Sequence, residues 1–446
     1  MPVGKEAETE NMTQITEEML DQWRNAYTED TSAHVLNSAE AKTELKDLAF
    51  VPMNAAKLNG DFEVEIKTRG ITAQQKSGRC WMFAALNMMR EKVAEKLNVK
   101  EFEISQNYLT FYDKLEKANN FLEMIIQNAD EPLTDQKMQY VLRGIDDGGY
   151  WGMAVDLIRK YGIVPKSVNP ESYQSEHTDT FMTQINHLLK KDAMELRDLM
   201  KEGKDPASAK EKMLGEVYRA ECIAFGEPVK VFDYEYRDND GNYHCLRNMT
   251  PAAFYEKYVG LALEDYVAVV NEPYAERPMH TPLEFHSIGN MADHDLHALN
   301  LTAGELEELC VKQLKSGEPV WFACDAGAYG ARKEGVWDPA SMNYEGLLGG
   351  VNFTMPKGQR LLYKDSAATH AMLLTGVSFD EEGRPARWKI ENSWGKDVGK
   401  DGYFVCSEDY FQNFVYEAVI DQQHLTAEEK EMLKKDPVSV NAWEEE

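Results

Sequence analysis

The residue best placed for chemistry lies in the segment Gln74-Gln75-Lys76-Ser77-Gly78-Arg79-Cys80-Trp81-Met82-Phe83. Gly78 allows a sharp approach, and a helix is expected to begin at Cys80. That start puts the thiol at the positive end of the macrodipole, which favours thiolate. From Trp81 to Met89 the helix is apolar almost all round, so its first turns should be buried. Beyond Met89, Arg90, Glu91, Lys92, Glu95 and Lys96 are expected to face solvent. A free cysteine is ordinarily a small buried hydrophobe. That bland reading suits Cys310, on an amphipathic face, and Cys245 and Cys406, in strand-like runs; the context of Cys80 argues for reactivity.

Other constellations point to rival chemistries and carry less. Asp293-His294-Asp295-Leu296-His297 suggests a metal-dependent hydrolase, but its histidines are three apart rather than four and no third ligand stands out. Gly395-Lys396-Asp397-Val398-Gly399-Lys400-Asp401 is one residue short of a phosphate loop and lacks the hydroxyl residue after its lysine. No Gly-x-Ser-x-Gly elbow occurs, which speaks against a serine hydrolase.

Four motifs in order are more specific. Ser77-Gly78-Arg79-Cys80-Trp81, Thr369-His370-Ala371-Met372 and Asn392-Ser393-Trp394-Gly395 follow one another, with a glutamine six residues before the cysteine. Together they resemble the cysteine, histidine, asparagine and oxyanion-glutamine motifs of papain-like cysteine peptidases. Ser77 stands where secreted papains carry a disulfide cysteine. Cys80 and His370 are 290 positions apart, against roughly 130–150 in the papain pattern, so a large insertion is expected. Both traits are similar to the aminopeptidase C / bleomycin hydrolase family. Ser105-Gln-Asn-Tyr108, Asp113-Lys-Leu-Glu-Lys-Ala118, Asp147-Gly-Gly-Tyr-Trp151 and Tyr161-Gly-Ile-Val-Pro165 extend the resemblance over nearly the whole chain.

The resemblance implies acyl transfer through a thioester. Cys80 would attack as thiolate, with His370 as its imidazolium partner and later the acid to the leaving amine. Asn392 would orient the imidazole, and Gln74 with the Cys80 backbone N–H would receive the oxyanion. Gln75 competes with Gln74, and only the six-residue spacing separates them. Trp394 is expected to shield the His370–Asn392 bond and to belong to the substrate-binding surroundings. A transglutaminase-like enzyme would share the order of Cys and His but prefer Asp third, and an inert scaffold would not need the intact set.

The family's C-terminal arm lies in the active-site cleft, where its terminal carboxylate meets the substrate's α-amino group and makes the enzyme an aminopeptidase. In this chain that role would fall to Glu446. Only Glu444-Glu445-Glu446 follows Trp443, an arm about four residues short, or ~13 Å of reach if extended. The expected activity is therefore aminopeptidase, with an oligo-endopeptidase open at the cleft as the alternative. The family also implies a homohexamer acting on peptides.

The elements that must position these residues follow from patterning. The chain has 446 residues, 43% of them hydrophobic, ample for a large core. From Thr13 to about Asn271 the periodicity is mostly helical, with a hairpin over Lys230–Leu246 turning at Asp240-Gly241. Thr250-Pro251 reads as an N-cap with Pro at the first helical position and Gly260 as a stop, and Thr302 to Glu305 as a capping box. Ala371–Val377, Trp388–Glu391 and Gly402–Cys406 read as strands. Residues 422–437 look like a polar helix and 438–446 like an acidic tail. The expected fold is α+β, a papain-like two-lobed fold with a large helical insertion and a C-terminal arm. Its parts would be residues 1–69 (N-terminal segment and helical extension), 70–170 (helical lobe with the nucleophile), 171–275 (mostly helical insertion with the hairpin), 276–421 (β-rich lobe with His and Asn) and 422–446 (C-terminal helix and arm). The formal charge of −29 argues against nucleic acid or anionic membrane as a partner. Six sparse cysteines, with neither a signal-like N-terminus nor a long apolar run, suggest a cytoplasmic protein without a membrane span. No cofactor or metal is expected.

Overall fold

The computed structural model describes residues 14–292 and 294–444, the side chain of Glu444 excepted. Its organising element is the helix Cys80–Lys96, which begins where the sequence places it and is buried on every side through Arg90. Trp81, Met82, Ala85, Leu86 and Met89 fill the interface between a helical half and a β-rich half. The Trp321 indole N–H donates to the Trp81 carbonyl at 3.0 Å, tying the helix start to the sheet.

The helical half is built on Gln106–Gln127, capped by the Ser105 hydroxyl. Asp179–Lys201 and Ala207–Phe225 pack on it through Ile185, Leu189, Leu196 and Val217 against Leu122 and Ile125. The hairpin Phe232–Arg237/Tyr243–Met249 forms as expected. Thr250 caps Pro251–Tyr258, and Gly260 follows with φ +65°.

Among the described residues, the β-rich half is a twelve-stranded, mostly antiparallel sheet. Its middle runs Tyr266–Val270, Val415–Asp421, Val320–Cys324, His370–Phe379, Pro385–Glu391 and Tyr403–Ser407. The helix Ala303–Lys315 covers one face, opened by the Thr302/Glu305 capping box; the helix Cys80–Lys96 covers the other. The architecture is the α+β arrangement of helical and β-rich lobes. Among the described residues no helix is long and apolar enough to cross a membrane.

Four local readings need correction. Tyr266–Val270 is a strand of the main sheet rather than the end of the helical region, because Val269 and Val270 are buried against the neighbouring strands. Residues 422–437 hold only a turn at Gln422–His424 and a short helix Ala427–Met432. The expected acidic tail instead contains a strand, Val438–Asn441, parallel to Thr281–His286. Val440 is buried with Val270, Leu283 and Ala298, and this two-valine alternation gives the segment its place at the sheet edge. Residue Arg90, expected outside, is 1% exposed. Its guanidinium donates to Glu391 at 2.6 Å and to Asn87 at 3.1 Å, so the charge is neutralised inside.

Candidate active site

The loop before Cys80 is clamped from two sides. Gln74 is buried and bonded to the asparagine loop: its backbone N–H donates to the Ser393 carbonyl at 2.8 Å, and its Oε1 accepts from Ser393 Oγ at 2.7 Å. Its Nε2 donates to the Ser77 carbonyl at 2.6 Å. Gln75 is exposed with φ +54°, so Gln74 is the glutamine that lines the cleft with Cys80. On the other side, Asp147 accepts the Gly78 backbone N–H at 3.0 Å and the Thr178 hydroxyl, and pairs with Lys114 Nζ at 2.8 Å. A Cβ on Gly78 would lie 2.8 Å from Asp147 Cβ, so only glycine permits this approach. Gly149 is likewise pressed against the Trp81 ring. The sequence assigns no role to Asp147, Lys114 or Thr178; the available signal was the adjacent charged pair Asp113-Lys114, which is buried on its helix.

His370 opens its strand and is buried. Its Nε2 lies 2.8 Å from Asn392 Oδ1, and that same oxygen accepts the Ser393 backbone N–H at 2.8 Å. An oxygen already facing one donor must face a second, so Nε2 carries the hydrogen and Nδ1 keeps its lone pair. Trp394 stacks on the imidazole, centroids 4.6 Å apart at 23°, and Arg332 sits 4.3 Å over the indole. Trp394 thus covers the His370–Asn392 pair from outside and does not line the cleft cavity.

Burial dominates the electrostatics of both Cys80 and His370. Burial pushes the Cys80 thiol up, against the backbone N–H groups of Ala371 and Trp81, which favour thiolate. Burial pulls His370 down to about 4, opposed by the Asn392 hydrogen bond and assisted by the Arg332 charge. Desolvation therefore works against charge on either group taken singly. Asp147 is held well below the usual carboxylate range, because Lys114 and its hydrogen bonds outweigh burial.

Cys80, His370 and Gln74 line one cleft of about 690 Å³ with Asn120, Tyr140, Gly148, Gly149 and Ala442. A second cavity of about 650 Å³ adjoins it, sharing Tyr150, Ile288, Ala367, Ala368 and Glu417. The C-terminal arm crosses here. After the strand Val438–Asn441, Ala442 lines the cleft, the Trp443 carbonyl accepts from Gln136 Nε2 at 2.8 Å, and Lys137 Nζ lies 4.9 Å over the Trp443 ring. Glu446 lies outside the described residues.

The histidine-rich segment does not converge. His294 pairs with Asp156 at 2.6 Å, His297 faces Glu284 at 4.0 Å, and Asp293 lies outside the described residues. Among the described residues, Glu284, His286 and Asp295 bring potential ligand atoms within 4.8 Å of one another. There His286 already stands between the two carboxylates, its Nε2 3.4 Å from Glu284 and its Nδ1 2.7 Å from Asp295.

Residues 14–445 match the model of a family described as Peptidase C1-like. Aminopeptidase C of Streptococcus thermophilus is 41% identical over 388 residues, 86% of this chain and 87% of the relative. Aminopeptidase C of Listeria innocua is 38% identical over 434 residues, 97% of this chain and 98% of the relative. The crystal structure of PepW from Lactobacillus rhamnosis superposes with a TM-score of 0.94 at 40% identity, covering 97% of this chain and 98% of that one.

Proposed function

This chain belongs to the peptidase C1-like family, in its aminopeptidase C branch, and we propose that it removes residues one at a time from the amino termini of peptides by way of a Cys80 thioester. It is a papain-like cysteine peptidase of the aminopeptidase type. The observation that carries the proposal is the arm: Ala442 and Trp443 cross from the sheet edge to the helix Gln136–Val141, over the cleft that holds Cys80 and His370. A strap there leaves room for a chain end and excludes a peptide that continues on the acyl side.

In the proposed mechanism, Cys80 Sγ attacks the scissile carbonyl while His370 Nδ1 takes the thiol proton. Transfer within the pair creates thiolate and imidazolium as substrate displaces water, in a site where burial opposes charge on either group alone. One Gln74 Nε2 hydrogen is used on Ser77; the other, with the Cys80 backbone N–H, receives the oxyanion. The imidazolium then gives its proton to the leaving amine, the C–N bond breaks, and the thioester remains. Water deprotonated by His370 hydrolyses it and restores the thiol. Asn392 holds the ring throughout, under Trp394. A cytoplasmic homohexamer remains part of this proposal, on family resemblance.

Free-amino and N-acetylated forms of one peptide decide the matter. Stepwise release of N-terminal residues from the free form, with the acetylated form untouched, is the expected result. Internal cleavage of the acetylated peptide at comparable rate would overturn the aminopeptidase reading in favour of the oligo-endopeptidase.

A further inference from the structure

The peptidase chemistry makes no use of the histidine-rich run His294–His297. Along the chain its residues do not converge, but across the sheet two of them do. Glu284 and His286 alternate with Leu283 and Phe285 on the strand Thr281–His286. Leu283 is buried with Val270, Ala298 and Val440, so Glu284 and His286 project from the opposite face. The antiparallel strand Leu296–Asn300 sets His297 directly opposite Glu284. One step along the same ladder Asp295 faces His286, its Oδ2 2.7 Å from Nδ1. Cross-strand pairing thus gathers two imidazoles and two carboxylates on one face.

Distances assign the roles within this group. An ionised carboxylate only accepts, so His286 Nδ1 carries the hydrogen given to Asp295. In the neutral ring Nε2 then keeps its lone pair, 3.4 Å from Glu284 Oε2. That is long for a charge-assisted hydrogen bond, which favours about 2.7–2.9 Å. It matches two ligands of one tetrahedral ion: with bonds of about 2.0–2.1 Å, they stand roughly 3.3 Å apart. The half-exposed His297 places Nδ1 4.0 Å from the other carboxylate oxygen, Glu284 Oε1, a small side-chain rotation from the same point. Asp295 behind His286 is the arrangement in which a carboxylate fixes the tautomer of a ligating imidazole. Imidazole and carboxylate without thiolate suit zinc and its first-row neighbours rather than calcium or magnesium. Asp295 and His297 line the cavity beside the cleft, which gives an ion a way in, and none of the four lines the Cys80 cleft itself. The competing occupant of the gap is a proton, on an imidazolium between two carboxylates.

We propose that Glu284, His286 and His297, with Asp295 behind His286, form a site for one divalent transition-metal ion of the zinc class. The site stands apart from the reaction at Cys80 and does not depend on it. Its place gives it a structural role. On the arm's strand, Ser439 pairs with Glu284 and Asn441 with His286, and Ala442 follows in the cleft. An ion that joins the two strands of this hairpin braces the sheet edge to which the arm is attached.

The test uses the full chain carrying Cys80→Ala, so that the cleft thiol cannot take the metal, stripped with a chelator and titrated with Zn²⁺ and with Co²⁺. One equivalent should bind, with a dissociation constant of about 10 μM or tighter. The cobalt form should show visible ligand-field bands and no thiolate charge-transfer band. In the same background, His286→Gln and Glu284→Gln should each weaken binding by about a hundredfold or more. Asp295→Asn, which removes only the carboxylate behind the ring, should weaken it by roughly tenfold. Zn²⁺ should slow amide hydrogen exchange at residues 281–286, 295–300 and 438–441. Equal affinity in His286→Gln and Glu284→Gln, both with the parent's metal-free unfolding midpoint, overturns the site, as does a thiolate band in the cobalt spectrum. Binding at millimolar concentration only, or exchange slowed only elsewhere in the chain, overturns it as well and leaves the proton as the occupant between His286 and Glu284.

Discussion

At the scale of residues, Cys80 and His370 share a cleft in which burial opposes charge on either one taken alone. Thiol with imidazole and thiolate with imidazolium hold the same number of protons, so a pH–rate profile reports only macroscopic values of the pair. A spectroscopic readout distinguishes them. His370 is depressed to about 4, so its ring should stay neutral from pH 8 down to that value, and its ring nitrogen resonances should not titrate between pH 5 and 8. The Cys80 thiol is raised, so the thiolate absorbance difference between wild type and Cys80→Ser should be missing at pH 7 and emerge only in alkali. A full thiolate signal at pH 6 would show that the helix N-terminus prevails over burial. For stability the sign is equally definite. A histidine depressed from its unfolded value of about 6.5 adds stability above that value, and this is lost as pH falls towards 4. The grouping of Cys80, His370 and Asn392 was legible in sequence because each sits in a contiguous motif. Their desolvation was not, because it depends on Trp394, Ala371 and the opposite lobe, brought together only by folding.

At the scale of elements, the helix Cys80–Lys96 is aimed by its neighbours rather than by its own cap. Arg79, at its N-cap position, makes no side-chain capping bond to the helix. The loop ahead of Cys80 is instead held by Asp147, which joins Gly78, Thr178 and the fully buried Lys114. Replacing Asp147 by Asn removes half of the charge that neutralises Lys114, leaving Asp113 at 3.0 Å as the remaining partner. Breaking one side of such a buried network costs on the order of 3 kcal/mol. Asp147→Asn should therefore lower the denaturation midpoint and, because the Gly78 N–H loses its anionic acceptor, reduce kcat more than it raises KM. Equal activity and an equal denaturation midpoint would show the clamp to be idle. The helix starts at Cys80, Pro251 and Ala303 were readable because caps and stops are local. Arg90 was misread because its partner Glu391 is some 300 positions away, and no local pattern distinguishes an inward arginine from a solvated one. The arm strand escaped because four residues carry too little alternation to announce a strand; its partner, Thr281–His286, decides it.

At the scale of the whole molecule, the proposed exopeptidase mode rests on a segment distant in sequence from every catalytic candidate. The arm is anchored twice: by Val440 in the sheet-edge core, and by Trp443 on the helix Gln136–Val141 across the cleft. The first anchor is independent of the second, since Val438–Asn441 is paired along its length with Thr281–His286. Ending the chain at Asn441 should then leave the strand and the Cys80 site in place while removing the strap. The expected outcome is a change of mode rather than a loss of activity. N-acetylated peptides should become substrates, with kcat/KM rising on the order of tenfold or more once the steric exclusion is gone. Free-amino substrates should lose their advantage over blocked ones. Near-ultraviolet circular dichroism and the unfolding midpoint check that the site survives. Sedimentation of both forms shows whether assembly, proposed as a hexamer, depends on the same residues. A truncated protein that is folded, active on free-amino peptides and still unable to touch the acetylated ones would place the exclusion elsewhere in the cleft, in the walls formed by Tyr140 and Ile288.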